Sequence, residues 1–316
     1  MTWVALGLCL SLLAFGVLSA FLTLLLRPLY RRADGSWTSE ALLALRLTPT
    51  ACAAVAVVGL LLPAFLRFEP RDTGERITWA VLLPAAAGLA MIAAGMLRGV
   101  RSLLDARRLR RRLAAGAVAI DLPGAPAPVF VVDHDFPLVA LVGVFRPRLF
   151  VARRVLAMCT LEEMAAILAH ETGHLVRRDN LRQLLVRSCP DVLAWTPSSA
   201  RLDAAFEEAC ERDADEDGAR GGRRDDLASA LVKVARAVPA PLPATAPYMA
   251  FSRSDAVAIR VRRLLFDRPA GGHRPLARLG APLLFAATAA AVLVSGWDAA
   301  LLEVHAVTES VVHLLQ

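Results

Sequence analysis

Two histidines four positions apart could bind one metal ion. His170 and His174 stand in the stretch "ILAHETGHLVRRD", with Glu171 directly after the first of them. On a helix, residues four positions apart lie one turn apart on the same face, so both imidazoles could reach the same ion. Glu171 lies about 100° around the helix from His170, where its carboxylate could hold a water molecule on the metal. The alternative for so short a pattern is two histidines that share one face of a structural helix.

A tetrahedral zinc site needs a third protein ligand and an open position for water. The acidic stretch "EEACERDADEDGA" offers such a ligand, because Glu211 and Asp215 are one helical turn apart. The spacing predicts that Glu211 binds the metal and that Asp215 accepts a hydrogen bond from a histidine ligand. Without the upstream histidines, the same acidic residues would be typical of a solvated helix face.

A capped helix that follows a β-hairpin is predicted to position the histidines. Thr160 followed by Glu163 is a capping-box pattern, and it begins a helix predicted from about residue 161 to residue 178. Residues 127–133 predict one strand, and residues 137–152 predict two strands around a turn. Such a hairpin is able to hold an extended peptide as an added strand.

Gly173 lies inside the predicted helix, where a glycine costs about 1 kcal/mol relative to alanine. Its presence predicts that another backbone approaches the helix closely at this point. Two further helices are predicted over about residues 199–220, which carry the acidic stretch, and residues 254–266.

The composition predicts a membrane protein. The chain is 56% hydrophobic and its mean hydropathy is +0.51, which is too apolar for an ordinary soluble domain. Four apolar stretches are long enough to cross a hydrocarbon core about 30 Å thick; they are residues 3–26, 47–66, 77–97 and 279–297. The alternative is a set of buried core helices. No basic residue precedes the first stretch, so it is not predicted to be a cleaved signal peptide.

The placement of charge predicts the topology. Basic residues cluster at 27–32, 98–112 and 268–278, beside three of the four apolar stretches. By the positive-inside rule these flanks are cytoplasmic, which places the N-terminus and the tail outside and the large middle segment in the cytoplasm. The basic cluster at 98–112 is also suited to binding anionic lipid headgroups. No recognition motif accompanies the net charge of +7, so direct nucleic-acid binding is not predicted.

At these residues the chain resembles the membrane-embedded gluzincin metallopeptidases of the BlaR/MecR type, which share a zinc domain with the HtpX-type membrane proteases. Four stretches carry the resemblance: "GVFRPRLFVARRVL" (143–156), "LAHETGHLVRRDN" (168–180), E-x-x-x-D at 211–215 and "RVRRLL" (260–265). The resemblance implies one Zn2+ per chain with His170, His174 and Glu211 as ligands. It implies Glu171 as the general base and Asp215 as an acid behind the ligands.

The chain departs from that family in two places. About nineteen residues follow the last apolar stretch, so the external penicillin-binding sensor of the best-known members is not expected. Glu207 and Glu208 are additional acids that compete with Glu211 for the third ligand position. The sequence also leaves open which residue stabilises the oxyanion. The candidates by residue type are Arg260, Tyr248 and His273, and the family-like "RVRRLL" favours Arg260.

The predicted fold is a mainly α membrane protein, with about four transmembrane helices and an α+β zincin-like metallopeptidase domain that contains a small β-hairpin. The predicted parts are a three-span unit (1–97), a basic cytoplasmic connector (98–116), the peptidase domain (117–278), a fourth transmembrane helix (279–297) and a short external tail (298–316). Five cysteines at spacings that suit neither a metal site nor a disulfide framework add no further constraint.

The predicted function is that of a zinc endopeptidase of a bacterial inner membrane, with a cytoplasm-facing site and a role in regulated proteolysis. Its expected partners are membrane lipids and a protein or peptide substrate; by family analogy that substrate is a cytoplasmic transcriptional repressor. The alternative is a non-catalytic receptor or scaffold on a peptidase-like fold. A transporter would need polar groups inside the spans. Such groups are sparse, and Arg46, near a span end, is expected to extend toward the interface.

Overall fold

The computed structural model describes residues 2–70, 78–134, 136–238, 254–266 and 296–315. These residues are mostly helical and include one small sheet. The helices are α1 (Thr2–Leu25), α2 (Arg27–Arg32), α3 (Ser39–Ala56), α4 (Leu62–Phe68), α5 (Trp79–Ala114), α6 (Arg153–Met158), α7 (Leu161–Arg177), α8 (Asp179–Ser188), α9 (Pro197–Gly218), α10 (Arg224–Arg236), α11 (Ser254–Phe266) and α12 (Trp297–Leu315). A π-helical segment, Val57–Leu61, joins α3 to α4.

Among the described residues, three helical stretches are long and apolar enough to cross a membrane, namely Trp3–Leu25, Ser39–Phe68 and Trp79–Ala114. They contain most of the first three predicted spans, although the second begins at Ser39 rather than at residue 47. The third continues without a break through the arginine-rich connector to Ala114, so that connector is the end of a long helix. Residues 279–295 of the predicted fourth span lie outside the described residues.

A four-stranded sheet lies beside α7. Its strands are β1 (Val118–Ile120), β2 (Val129–Val132), β3 (Val139–Val142) and β4 (Arg148–Ala152), in the order β1-β2-β4-β3. The β3–β4 pair is the predicted antiparallel hairpin, and β2 pairs parallel with β4. The strand β1 was not predicted. Leu149, Phe150 and Val151 are fully buried in a core that also holds Met164, Ile167 and Leu168 of α7, because one face of this helix is apolar.

The start of the second span is buried against the middle segment of the chain rather than standing apart from it. Leu42 and Leu45 of α3 share one apolar core with Leu202 and Phe206 of α9. Arg46 does not extend toward the interface as the sequence suggested: its side chain is 2% exposed and forms an ion pair with the fully buried Asp191. A buried cation needs a partner of opposite charge, and Asp191 provides it.

The last helix, α12, folds back against the far end of the second span. It packs on α4 and on the π-helical segment, with Leu301 and Val312 buried. Residues 298–315, which the sequence placed in a short external tail, are therefore helical and packed.

Candidate metal centre

The helix that carries the histidines begins at the predicted cap. The Thr160 side chain accepts a hydrogen bond from the Glu163 backbone N–H, and the Glu163 carboxylate accepts one from the Thr160 N–H. Glu163 also accepts hydrogen bonds from Ser229 and Lys233 of α10, each at 2.7 Å. The cap therefore satisfies backbone donors of α7 and also connects α7 to a neighbouring helix.

His170, His174 and Glu211 converge, as their spacing predicted. The Nε2 atoms of the two imidazoles are 3.2 Å apart. Glu211 oxygens lie 3.8 Å from the Nε2 of His170 and 3.5 Å from the Nε2 of His174. Glu207 and Glu208 are directed elsewhere: Glu207 binds Gln183 and Arg187, and Glu208 pairs with Arg263. Of the three competing acids, only Glu211 reaches the histidines.

The separations of these atoms fit a zinc ion. Ligand atoms about 2.0–2.1 Å from zinc at tetrahedral angles lie roughly 3.3 Å from one another. The 3.2 Å between the two imidazole nitrogens is close to that value, and the two different Glu211 oxygens lie 3.5 and 3.8 Å from the imidazoles. Two imidazole nitrogens that face each other and an adjacent carboxylate are also a donor set that zinc prefers.

The electrostatics of the site favour a positive charge between the ligands. Burial by itself lowers the pKa of His174, but the hydrogen bond with Asp179 and the carboxylates of Glu211 and Glu171 raise that pKa to about 9. The cation at this position is a proton on the imidazole or a metal ion, because either offsets the surrounding carboxylates.

Asp215 lies behind His170, as predicted, and is held there by Arg260. One Asp215 oxygen is 3.2 Å from the Nδ1 of His170. Arg260 binds both Asp215 oxygens, at 2.9 and 2.6 Å, and a third guanidinium nitrogen lies 2.9 Å from Glu211. Burial would raise the pKa of Asp215, but Arg260 and His170 outweigh burial and hold that pKa well below its usual range. Asp215 is therefore ionised, with its carboxylate next to the Nδ1 of His170.

Glu171 is buried beside the histidines. Its side chain lines a cavity of about 70 Å³ together with His170, Arg260 and residues 137–140 of the hairpin. Burial raises the pKa of the Glu171 carboxyl, against the opposing effect of His170 and His174. The cavity brings the predicted general base, one predicted ligand and the predicted oxyanion candidate to one side of α7. Tyr248 and His273, the other two candidates, lie outside the described residues.

Asp179 is a neighbour of the candidate ligands that the sequence did not single out. Its carboxylate lies 2.8 Å from the Nδ1 of His174, so it orients that ring. The contact depends on Arg178, whose φ of 55° ends α7 in the left-handed region and begins α8. A non-glycine residue in that region costs roughly 1–2 kcal/mol. In the sequence, the available signal for this contact was the presence of an aspartate five positions after the second histidine.

The close approach expected at Gly173 occurs at Gly218 instead. A Cβ added at Gly218 would lie 3.1 Å from the Ala166 carbonyl oxygen and 3.1 Å from the Cβ of His170. At Gly173 the nearest atoms belong to side chains, with an Asp217 oxygen at 2.7 Å. The prediction of a backbone contact at Gly173 is therefore wrong, and the glycine that lets α9 approach α7 lies in α9.

Comparison with known proteins identifies part of this region. The family model of Peptidase family M48 matches residues 103–196, which include the sheet and all of α7. The match indicates a metallopeptidase, and it ends before Glu211 and Asp215. No curated protein and no solved structure matches the chain.

Proposed function

We propose that the chain is a membrane-anchored zinc endopeptidase that acts in regulated proteolysis, in the manner of BlaR/MecR-type peptidases. One observation carries the proposal: the ligand atoms of His170, His174 and Glu211 lie within 4.8 Å of one another, beside the buried Glu171. The match of residues 103–196 to a peptidase family and the three apolar helices support it independently.

The chain's own residues divide the chemistry among them. A zinc ion held by the three ligands supplies a Lewis acid that polarises a peptide carbonyl and lowers the pKa of water. Glu171 accepts the proton of the attacking water and passes it to the leaving amine, since its raised pKa makes it a stronger base than an exposed glutamate. Arg260 lines the same cavity, which makes it the candidate that offsets the negative charge of the oxyanion.

The edge of the sheet is the proposed substrate site. Among the described residues, β3 pairs with β4 alone and lies at the end of the sheet. The residues just before and within β3 line the cavity that contains Glu171. An extended peptide added to β3 would therefore bring its backbone to the base, with main-chain hydrogen bonds contributing the affinity.

Metal content tests the ligand set. Purified in detergent, the wild-type chain should hold about one zinc ion, and His174→Ala and Glu211→Ala should lose most of it. Glu207→Ala is the matched control for Glu211→Ala, because it removes the same side chain one turn earlier in α9 and should retain the metal. Equal losses from the two glutamate variants would show that Glu211 is not the third ligand.

The catalytic assignment is tested in living cells. Quantitative proteomics of the native host should show fragments that depend on wild-type protein and disappear with Glu171→Gln, while the purified variant keeps its zinc. The control is Glu162→Gln, an exposed glutamate at the start of the same helix. A non-catalytic receptor or scaffold is the second candidate; it predicts no fragment that distinguishes Glu171→Gln from wild type.

The proposed site faces the cytoplasm, and the proposed substrate is a cytoplasmic protein such as a transcriptional repressor. The basic flanks at 27–32, 98–112 and 268–278 support this orientation. A cysteine introduced near residue 180 should resist an impermeant thiol reagent in intact cells, in a variant whose native cysteines are removed. If it is labelled there, the substrate must be sought in the cell envelope.

A further inference from the structure

The segment that leads into the second span contacts the helix that carries Glu211. A Cβ added at Gly35 would overlap the Glu208 carboxylate, so this segment lies directly on α9. Two residues further on, the Trp37 carbonyl oxygen accepts a hydrogen bond from Arg212 at 2.6 Å. The neighbours of Glu211 in α9 are thus held by residues that belong to the membrane unit.

Ser39 makes a buried contact with α9 near Glu211. It is the first residue of α3, it is fully buried, and its hydroxyl donates a hydrogen bond to Asp213 at 2.6 Å. Asp213 lies in α9 between Glu211 and Asp215. A buried hydroxyl–carboxylate hydrogen bond restricts both partners, so it limits the rotation and translation of this turn of α9.

A second set of contacts leads from the same residues to His174. One Arg182 nitrogen lies 3.3 Å from the Ser39 hydroxyl and 3.3 Å from an Asp179 oxygen, and another lies 3.2 Å from Glu40. The other Asp179 oxygen is the one that binds His174. The start of the second span therefore contacts α9 two residues after Glu211, through Asp213, and it contacts Arg182, which in turn binds the Asp179 carboxylate beside His174.

We propose that Ser39 is a positioning residue of the zinc centre, through which the membrane unit sets the orientation of Glu211 and His174. The inference rests on the proposed function, because it concerns the same metal site. Its consequence is regulatory: a displacement of the second span relative to α9 changes the placement of two of the three ligands. The chain thereby possesses a direct route from its membrane helices to its active site.

Zinc affinity of the full chain in detergent tests this role. Competition with a chromophoric chelator should show that Ser39→Ala binds zinc about tenfold more weakly, the lower end of the loss seen when partners of metal ligands are removed. Ser36→Ala is the matched control: Ser36 is exposed in the same segment and bonds only to the neighbouring Asp34 in the described structure. It should bind zinc as wild type does.

Two further measurements separate positioning from general stability. Ser39→Ala combined with Asp213→Asn should weaken zinc binding by less than the sum of the two single losses in free energy, because the two variants share the Ser39–Asp213 hydrogen bond. The thermal midpoint of the metal-free protein reports stability alone, and a purely structural role would lower that midpoint without changing zinc affinity. If Ser39→Ala does not fold, Arg182→Gln carries the test through the contact with Asp179.

The outcomes distinguish the two proposals. A wild-type chain that binds no zinc overturns the proposed function and this inference together. A wild-type chain that binds zinc, with Ser39→Ala indistinguishable from Ser36→Ala, overturns only the positioning role. Additive losses in the double variant would also overturn it, since they would mean that Ser39 does not act through Asp213.

Discussion

The membrane unit and the metal centre are both made of packed helices, but different contacts hold them together. In the membrane unit, Gly16 and Gly88 bring α1 and α5 so close that a Cβ added at Gly88 would overlap the Leu12 carbonyl oxygen. At the metal centre, α7, α9 and α11 are joined by charged groups, with Arg260 between Asp215 and Glu211. The contact between α1 and α5 is possible because glycine has no side chain, whereas the contacts at the metal centre depend on charged side chains.

The difference follows from the surroundings of each region. Lipid tails are as apolar as the helices, so helices within a bilayer gain mainly from close van der Waals packing, which small residues permit. The metal centre buries several carboxylates, and each buried charge requires a cation nearby. Substitutions should therefore act through shape in one region and through charge in the other.

Arg260→Met should have the largest effect. It keeps the length of the side chain but leaves the buried Asp215 without its bidentate partner, which costs roughly 3–5 kcal/mol of unfolding free energy. Thermal unfolding in detergent measures the change. Arg263→Met, which breaks the more exposed pair with Glu208, is the control and should cost less than about 1 kcal/mol. Equal shifts in the two variants would mean that charge does not hold the centre together.

Gly88→Ala should have the next largest effect. The added methyl group meets the backbone of α1, which cannot move aside as a side chain does, and overpacking of this kind costs about 1–3 kcal/mol. Gly59→Ala is the control within the membrane unit, because no atom lies within 4 Å of its added Cβ. The thermal midpoint should fall for the first variant and not for the second. If the thermal midpoint of Gly88→Ala equals or exceeds that of wild type, the close packing of α1 against α5 at Gly88 is contradicted.

Gly173→Ala should have the smallest effect, although it is the same substitution within a helix. The added Cβ meets the ends of the Asp217 and Arg177 side chains, at 2.7 and 2.9 Å, which are able to move, and the Asp217 Cβ at 3.2 Å, which must shift only slightly. The helix-propensity gain of about 1 kcal/mol offsets that adjustment. The free energy of unfolding should change by less than about 1 kcal/mol, and the zinc content should be unchanged. A loss as large as that of Gly88→Ala would show that the two regions tolerate added volume alike.

Features confined to one helix or one hairpin were predicted well from the sequence. The capping box of α7, the facing histidines and the β3–β4 hairpin all depend on residues a few positions apart. Glu211 was predicted as the third ligand with Glu207 and Glu208 as competing acids, and the sequence could not exclude these two because the three residues differ only in the direction that α9 gives them. The backbone contact assigned to Gly173 was wrong for a related reason: a glycine pattern does not say which helix supplies the glycine.

The sequence by itself determined the facing histidine pair of α7 and the apolar helices, because helix periodicity places residues four apart on one face and helix length decides whether an apolar stretch could span a membrane. Only the tertiary structure decided that Asp179 orients His174, that Arg260 joins Asp215 to Glu211, and that Ser39 of the second span reaches Asp213. Each of these contacts depends on a chain reversal or on the packing of separate helices. Buried charges and hydroxyls need hydrogen-bond or ion-pair partners, and the packing of the helices decides which residues provide them. The spacing of residues along the chain does not predict those partners.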